Sequence, residues 1–332
     1  MIAQEEEKRG VALLHRALGD EVLALRRDPT VVDILVRPWG ISVDRLGAGL
    51  TPTGVIPAPG SIAMVIRTMR SLVGGTVTED DPTVEAQMPD DGSRFAGQLA
   101  GDGSFYTIRC HRSNGARLED YQSKDGIEAG SIRALCELLD QRKRVIINGP
   151  TGSGKTHLLR ACMRYAASVH PQRHFVVIED TPELAVDFDA PHRTFMHTTR
   201  SLTMRDLSRS AMRHRPDFLV YGEIRGGEAL DVRNYSISGH TTYFTIHAYG
   251  AISALNRFAG CIGEAVAHVD YDRIVEAVDA VVTASRRIEQ TGDLDAHGKP
   301  VLRDVFFIKE LVRVDGYAGN RWQVTSLLEG SS

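Results

Sequence analysis

Residues 148–156, Asn-Gly-Pro-Thr-Gly-Ser-Gly-Lys-Thr, constrain the fold of this chain more than any other stretch. They follow a β-branched apolar run at 145–147 and precede residues 158–163, which read as a helix. The spacing fits G-x-x-x-x-G-K-[ST]. Glycines let the backbone wrap closely around an anion, and the amides at a helix N-terminus supply partial positive charge. The stretch therefore predicts a binding site for a nucleoside triphosphate.

Each position of this loop has an expected task. Lys155 is expected to neutralise the β- and γ-phosphates, and the Thr156 hydroxyl is expected to ligate Mg²⁺. An ordinary glycine-rich turn is the alternative, and the order of strand, loop and helix disfavours it. ATP and Mg²⁺ are the expected cofactors. The predicted nucleotide-binding residues are Gly149, Pro150, Thr151, Gly152, Ser153, Gly154, Lys155, Thr156 and His157.

Length and composition limit the class of protein. A chain of 332 residues has room for two domains with separate cores. Charged residues make up 25% and hydrophobic residues 42%, which is typical of a globular protein and excludes a disordered one. The formal net charge of −4 gives no general attraction to nucleic acid, although a local basic stripe is compatible with it.

The cysteines and the N-terminus point to one compartment. Four cysteines are scattered without a C-x-x-C pair, which indicates reduced thiols in a cytosolic protein rather than a zinc ribbon or a disulfide framework. The N-terminus lacks a basic segment followed by an apolar core, so we expect no signal peptide. No apolar run approaches membrane-spanning length, and any membrane association is expected to be peripheral.

The pattern of apolar residues changes along the chain. Residues 1–116 predict a small α+β domain, with helices at about 8–27 and 62–72, strands at 31–36 and 41–44, and a hairpin with arms at 94–99 and 105–111. The polar stretch 117–130 predicts a linker. Residues 131–332 alternate helices with wholly apolar strands at 145–147, 175–178, 218–221 and 242–246, which predicts an α/β domain with a parallel sheet. The last fifty residues are expected to add helix and strand.

Polar groups follow four of these strands. Because ligands bind outside the carboxyl ends of strands in open α/β sheets, we expect these groups to surround the nucleotide. Glu223 is the expected partner of Mg²⁺ or of the attacking water, and its alternative role is a solvated carboxylate at a strand end. Glu179 and Glu183 are candidates for polarising that water, and the alternative is that one of the two caps the following segment or pairs with an arginine. Asp180 is expected to orient its neighbours.

Histidines and arginines complete the candidate site. His247 and His240 are candidates for sensing the γ-phosphate, and ordinary core or surface positions are their alternative. No histidine or cysteine spacing typical of a metal site is present. The γ-phosphate often needs a cation from a neighbouring domain or subunit, for which Arg94 and Arg109 on the hairpin are candidates.

Four segments together resemble one family. They are the loop at 149–156, IEDTPEL at 178–184, RHRPDFLVYGEIR at 213–225, and SGH at 238–240 with TIHA at 245–248. The chain resembles the type II/IV secretion traffic ATPases over roughly residues 30–265, and most closely the TrbB-like conjugal-transfer ATPases of type IV secretion systems. PDDGSRF at 89–95 and TIR at 107–109 resemble the segments that close the N-terminal domain of that family. Residues 241–244 are bulkier than the small segment that usually separates the two histidines.

The resemblance implies a RecA-like P-loop ATPase domain behind a smaller PAS-like N-terminal domain, in a homohexameric ring with ATP bound between the two domains. It implies that hydrolysis powers substrate transfer or pilus assembly. The implied partners are inner-membrane components of a secretion or mating-pair channel and a coupling protein, and the implied location is cytoplasmic with peripheral attachment to the inner membrane. Arg94 and Arg109 match arginines that approach the γ-phosphate, and Arg225 belongs to the Gly-Glu-Ile-Arg signature.

Three other functions remain open at this point. A type IV pilus or type II secretion ATPase is a close alternative, although type II members commonly carry a four-cysteine zinc module that this chain lacks. A RecA-like nucleic-acid translocase would be strongly stimulated by single-stranded DNA or RNA, with steep salt dependence. A nucleotide-gated scaffold would bind ATP and scarcely hydrolyse it.

Overall fold

A computed structural model describes residues 2–45, 49–110, 116–123, 128–185, 188–199, 201–294 and 300–328. The chain forms two compact units. Unit 1 contains Met1–Ser113 and Ile288–Asp304, and unit 2 contains Asn114–Arg287 and Val305–Ser332. The domain limits expected from the sequence, 1–116, 117–130 and 131–332, stay a prediction.

Unit 1 is an antiparallel sheet packed against two helices. Its helices are α1 (Ile2–Arg27), in which Gly19 has non-helical dihedral angles, and α2 (Ser61–Leu72). Its strands run in the order β3-β2-β1-β6-β5-β4. Their limits are β1 Val31–Arg37, β2 Gly40–Arg45, β3 Gly49–Pro52, β4 Thr83–Gln87, β5 Arg94–Gln98 and β6 Phe105–Arg109. The predicted hairpin is the β5–β6 pair, and position 111 at its end lies outside the described residues.

Apolar side chains at helical and alternating spacing meet in the core of unit 1. Leu14 and Val22 from α1, Ile66 from α2 and Ile34 from β1 are all fully buried or nearly so. The apolar residues whose helical spacing predicts α1 and α2 thus form the face that each helix packs against the sheet.

Unit 2 alternates helices with strands, as expected. A short 3₁₀ turn covers Leu118–Asp120 and a second covers Met212–His214. The helices are α3 Glu128–Asp140, α4 Lys155–Val169, α5 Met204–Ala211, α6 Ala229–Ile237, α7 Ala251–Gly263 and α8 Tyr271–Ala277. The strands are β7 Gln122–Ser123, β8 Val145–Gly149, β9 Phe175–Glu179, β10 Arg193–His197, β11 Phe218–Tyr221, β12 Thr241–His247, β13 Ala280–Leu294, β14 Pro300–Ala318 and β15 Arg321–Ser326. The parts of β13 and β14 that fall within Ile288–Asp304 belong to unit 1.

These nine strands form one sheet in the order β10-β9-β11-β12-β8-β13-β14-β15, with β7 beside β14. The neighbours from β10 to β13 are parallel, whereas β14 and β15 are antiparallel. The strands β8, β9 and β11 are buried at every position, because a core lies on each face of the sheet. The prediction of an α/β unit with a covered parallel sheet is confirmed.

The expectation for the end of the chain is partly wrong. Among the described residues, the last fifty form β13, β14 and β15 and contain no helix. In β14, the buried side chains of Val305 and Phe307 alternate with the half-buried Asp304 and Phe306, which is a strand pattern.

Leu118 and Tyr121 fall within the stretch 117–130 that was expected to be a polar linker. Both side chains are buried in the core of unit 2. The charged and glycine residues around them make the composition of this stretch polar, so the composition did not reveal an ordered segment with two buried side chains.

Candidate functional site

The loop between β8 and α4 has a backbone that only glycine accommodates at two points. Gly154 precedes the first helical residue with φ 85°, and a Cβ there would lie 2.8 Å from the Tyr121 hydroxyl and the Phe306 ring. A Cβ on Gly149 would lie 2.4 Å from the Ala284 carbonyl oxygen and from Ser153 Oγ. The motif glycines are therefore required by close packing as well as by dihedral angle.

Lys155 is the first residue of α4 and is only 7% exposed. Its Nζ donates to the Pro150 carbonyl oxygen at 3.0 Å and lies 3.3 Å from His247 Nδ1. Burial is the main influence on the pKa of Lys155 and lowers it, while the charge of Glu223 acts in the opposite direction. The Lys155 ammonium thus bends back to contact its own loop. A bound anion would compensate the cost of removing this charge from water.

A series of contacts starts at Lys155 and passes through polar side chains that follow or end three strands. His247 Nε2 lies 3.2 Å from Glu223 Oε1, and Arg225 Nη2 donates to Glu223 Oε2 at 2.8 Å. Arg225 Nη1 also contacts Asp180 Oδ2 at 3.3 Å. In register, His247 pairs with Gly149, which explains how β12 brings its last residue to the loop. Lys155, His247, Glu223, Arg225 and Asp180 therefore form one continuous line, which we call the charged line.

The charged line fixes the protonation states of its members. Burial alone would raise the pKa of Glu223, but the hydrogen bond from Arg225 and the neighbouring positive charges lower it below its usual value. Burial and the charge of Lys155 lower the pKa of His247. His247 is then neutral at pH 7. Because Lys155 can only donate, Nδ1 accepts and the single ring proton lies on Nε2, facing the Glu223 carboxylate.

Glu179 has a different environment from Glu223. Its side chain is 2% exposed, and Oε2 accepts hydrogen bonds from the backbone amides of Glu183 and Leu184, both at 2.9 Å. His197 Nε2 lies 3.4 Å from the other oxygen. The Glu179 carboxylate thus holds the turn that carries Glu183, while Glu183 itself is half-buried at the same edge of the sheet.

The remaining loop residues differ in exposure. Thr151 and Gly152 are exposed, and Pro150 and Thr156 are half-buried. The Ser153 hydroxyl is buried and has no hydrogen-bond partner among the described residues. His157 lies on the first turn of α4, with Nε2 3.2 Å from Asp120 Oδ2.

These features fit the cofactors expected from the motif. A buried hydroxyl without a partner, a buried ammonium and an N-terminal helix turn without a side-chain cap are all groups that a phosphate would satisfy. Thr156 and Glu223 are the residues that would hold Mg²⁺, and oxygen donors of this kind suit that ion. Within the described ranges, no group of three or more His, Cys, Asp or Glu side chains is arranged to bind a metal by itself.

Of the three other predicted residues, His240 belongs to unit 2, and Arg94 and Arg109 belong to unit 1. His240 precedes β12, at the opposite end of the strand from His247, roughly 20 Å away at the usual rise per residue. Its Nδ1 contacts the Tyr235 carbonyl oxygen and Ser238 Oγ, both at 3.2 Å. Arg94 on β5 and Arg109 on β6 are opposite each other in the register of the two strands in unit 1. Arg109 makes a bidentate hydrogen bond to the Asp33 carboxylate.

Several residues that support the loop belong to no recognisable sequence pattern. Glu310 Oε2 accepts from the Ala251 amide at 2.6 Å and from Thr283 Oγ1 at 3.2 Å, which ties the segment after His247 to β13. Asn148 donates to Thr283 at 3.0 Å. Tyr121 donates from its hydroxyl to the Gly154 carbonyl oxygen. Only the unusual polar residue in a buried strand, Asn148, could have been noticed beforehand.

Fold and site together define a P-loop ATPase of the RecA-like type with a smaller N-terminal α+β unit. The type II/IV secretion system protein family matches residues 66–293, and the chain belongs to that family. The complete phosphate loop within this family makes the chain a secretion ATPase.

Its relatives include the conjugal transfer protein TrbB of Rhizobium radiobacter, at 31% identity over 94% of this chain and 93% of the relative. The type IV secretion system protein VirB11 of Bartonella quintana is 29% identical over 63% of this chain and 64% of its own length. The structure of the Legionella pneumophila ATPase DotB has a TM-score of 0.60 at 18% identity, covering 87% of this chain and 80% of that one. The last likeness concerns the fold alone.

No helix in the described ranges combines the length and the apolar character that crossing a bilayer requires.

Proposed function

We propose that this protein is an ATP-hydrolysing motor that powers substrate transfer in a conjugation or type IV secretion system, acting as a homohexameric ring. The observation that carries the proposal is the charged line, which joins the phosphate-loop lysine to the acidic residue after β11 through His247. Full-length similarity to a conjugal transfer protein supports the choice of system.

In this mechanism the loop binds the phosphates and the charged line prepares the attack. Lys155 leaves the Pro150 carbonyl to neutralise the β- and γ-phosphates. Mg²⁺, held through Thr156 and Glu223, would supply further neutralisation of the developing charge. Glu223 orients the attacking water, and its lowered pKa keeps it ionised as an acceptor for the water proton.

His247 connects the two ends of this arrangement. It accepts from Lys155 and presents its Nε2 proton to Glu223, so movement of Lys155 towards a phosphate changes the contact that Glu223 receives. Arg225 restrains the second oxygen of Glu223. We propose that His247 reports γ-phosphate to the carboxylate and that Arg225 aligns it.

The two glutamates after β9 take separate roles. Glu179 is occupied by two backbone amides and acts as a positioning group for the turn. Glu183 is the second candidate for contacting the water. Arg94 and Arg109, on unit 1, are proposed to approach the γ-phosphate in the assembled ring. His240 is proposed to act at the opposite edge of the sheet, where β12 begins.

We further propose a cytoplasmic location with peripheral attachment to the inner membrane. The expected partners are the channel components of the secretion or mating-pair apparatus and a coupling protein. Nucleic acid is not among the proposed partners.

The test is Glu223→Gln, which keeps the size of the side chain and removes its charge. We expect ATP to remain bound while kcat falls by about 10²-fold or more, as when a proton acceptor is removed. Glu179→Gln is the matched control, because it alters a buried carboxylate outside the charged line and should change stability more than kcat. Hydrolysis by Glu223→Gln at the wild-type rate would exclude the assigned role. Strong stimulation of the wild type by single-stranded DNA would favour a translocase instead.

A further inference from the structure

Tyr121 lies just after the 3₁₀ turn Leu118–Asp120 and just before β7. The segment is anchored on both sides, because Leu118 is buried in the core and β7 pairs with Phe307 and Ile308 of β14. Tyr121 itself is fully buried. The packing of unit 2 thus holds the Tyr121 side chain in one position.

The hydroxyl of this buried ring reaches the phosphate loop. It donates a hydrogen bond to the Gly154 carbonyl oxygen. Burial raises the pKa of Tyr121 well above its ordinary value, so the hydroxyl keeps its proton and remains a donor. The ring centroid lies 5.8 Å from that of His157 and 6.1 Å from that of Phe306, which flank it.

The carbonyl that Tyr121 holds belongs to a functionally placed peptide unit. A trans peptide is planar, so the Gly154 carbonyl and the Lys155 N–H point in opposite directions and turn together. The same oxygen also accepts from the Leu158 amide at 2.8 Å, which directs it along α4. The Lys155 N–H is consequently aimed out of the helix N-terminus, towards the position that a phosphate takes in such a loop.

A second donor changes this peptide in two ways. It restricts rotation of a unit that begins at a glycine, where the backbone is otherwise free to turn. It also polarises the peptide, because hydrogen bonds in series strengthen one another and make the N–H a better donor.

We propose that Tyr121 is a positioning residue for phosphate binding, which holds the Gly154–Lys155 peptide so that its N–H faces the anion. The inference rests on the proposed nucleotide site and adds to it a residue from the segment that the sequence identified only as a linker. Tyr121 does not touch the nucleotide; it acts through the loop backbone.

The test compares Tyr121→Phe with wild type, using inorganic pyrophosphate and ADP as probes in calorimetric titrations. Pyrophosphate reports on the loop without any contribution from the base. We expect both dissociation constants to rise by about 5- to 20-fold, the effect of removing one hydrogen bond from a buried network. Tyr243→Phe is the matched control, because Tyr243 is also fully buried but its hydroxyl has no partner among the described residues. That variant should bind both probes as the wild type does.

Steady-state kinetics separates positioning from general loosening of the fold. The peptide N–H contacts phosphate in the ground state and the transition state alike, so KM for ATP should rise while kcat stays within about twofold. A purely structural role would instead lower kcat through loss of active protein and leave KM unchanged. That result, or dissociation constants in Tyr121→Phe within twofold of wild type, would overturn the proposal.

If Tyr121→Phe does not fold, Phe306→Leu, which removes ring packing against Tyr121, must show the same rise in KM alone for the proposal to stand. If the wild type binds neither pyrophosphate nor ADP, the proposed function fails, which is a result distinct from failure of the Tyr121 inference.

Discussion

The two edges of the parallel sheet in unit 2 both carry dense charge, but they use it differently. At the edge where the strands begin, Asp279 accepts from the Arg144 backbone amide at 2.8 Å, from Nε at 2.6 Å and from Nη2 at 2.9 Å. Arg144 Nη1 donates to the Glu276 carbonyl oxygen at 2.6 Å. At the edge where the strands end, the charged line runs instead from Lys155 to Asp180.

The pKa shifts differ in the same way. Burial alone would raise the pKa of Asp279, but hydrogen bonds from Arg144 lower it, so this ion pair is compensated within the protein. On the opposite edge, Lys155 and His247 have lowered pKa values because burial outweighs their partners. Breaking a fully compensated ion pair destabilises the fold, whereas the Lys155 ammonium, whose burial is not compensated, favours an arriving anion. Completeness of pairing, rather than density of charge, distinguishes the two edges.

The sharpest test of this comparison is Lys155→Ala. We expect ATP hydrolysis to fall by about 10³-fold or more, because phosphoryl transfer depends on charge neutralisation by such groups. Thermal unfolding should change little, since the variant removes a cation that burial disfavours. Steady-state hydrolysis and melting curves on the same preparation measure both effects. A large loss of stability with hydrolysis retained would reverse the assignment of the two edges.

Asp279→Asn tests the other edge. Removing the carboxylate leaves the Arg144 guanidinium without its counter-charge, and we expect a loss of about 2–4 kcal/mol in the free energy of unfolding. The folded Asp279→Asn variant should keep the kcat and KM of the wild type. Urea unfolding followed by circular dichroism provides the stability, and an assay below the unfolding range provides the rates. A drop in kcat without destabilisation would place Asp279 in the catalytic machinery.

His240, which precedes β12, and His247, which ends it, give a comparison between the two ends of one strand. His247→Gln breaks the charged line and should lower kcat by about tenfold, the contribution of one well-placed hydrogen bond to catalysis. His240→Gln, at the far end of the same strand, should alter kcat by less than about twofold. Parallel hydrolysis assays measure the ratio. Equal losses of kcat in the two variants would show that both substitutions disturb β12, and that the contact of His247 with the charged line has no separate effect.

The smallest expected effect is on pH dependence. Because the pKa of folded Asp279 is lowered, its stabilising contribution is present above the ordinary pKa of an aspartate, about 3.9. It is lost as pH falls through that value and then through the folded pKa. Unfolding free energies measured from pH 6 down to pH 3 should therefore fall less steeply in Asp279→Asn than in wild type. Identical slopes would mean that this pair contributes nothing to acid stability.

Much of this organisation follows from local sequence signals. Strand, loop and helix at 145–169 are predicted by periodicity and by the glycine spacing, and the carboxyl-end rule predicts that Glu223 and His247 meet near Lys155. The rule does not separate Glu179 from Glu223, because both end a buried strand and only the backbone amides of 183 and 184 give Glu179 its different environment. Those amides depend on the path of a turn, which has no periodic signal.

The supporting residues were harder to foresee for a related reason. Tyr121 acts on Gly154 across 33 positions of sequence, and Glu310 acts on Ala251 across 59. Contacts of that kind are set by sheet order, which no pattern within a short window contains. The sequence pattern predicts a similar role for His240 and His247, because they are close in sequence. The length of β12 separates them in space, and the parallel register brings only His247 to the loop.

We expect residues 149–156 to bind the phosphates of ATP through the buried Lys155. Equilibrium titration of Mg·ATP into wild type and Lys155→Ala, at a temperature where both are folded, tests it most directly. We expect saturable binding to the wild type, and binding weakened by at least about tenfold in the variant. Equal affinity in the two proteins, or no binding to the wild type, would contradict it.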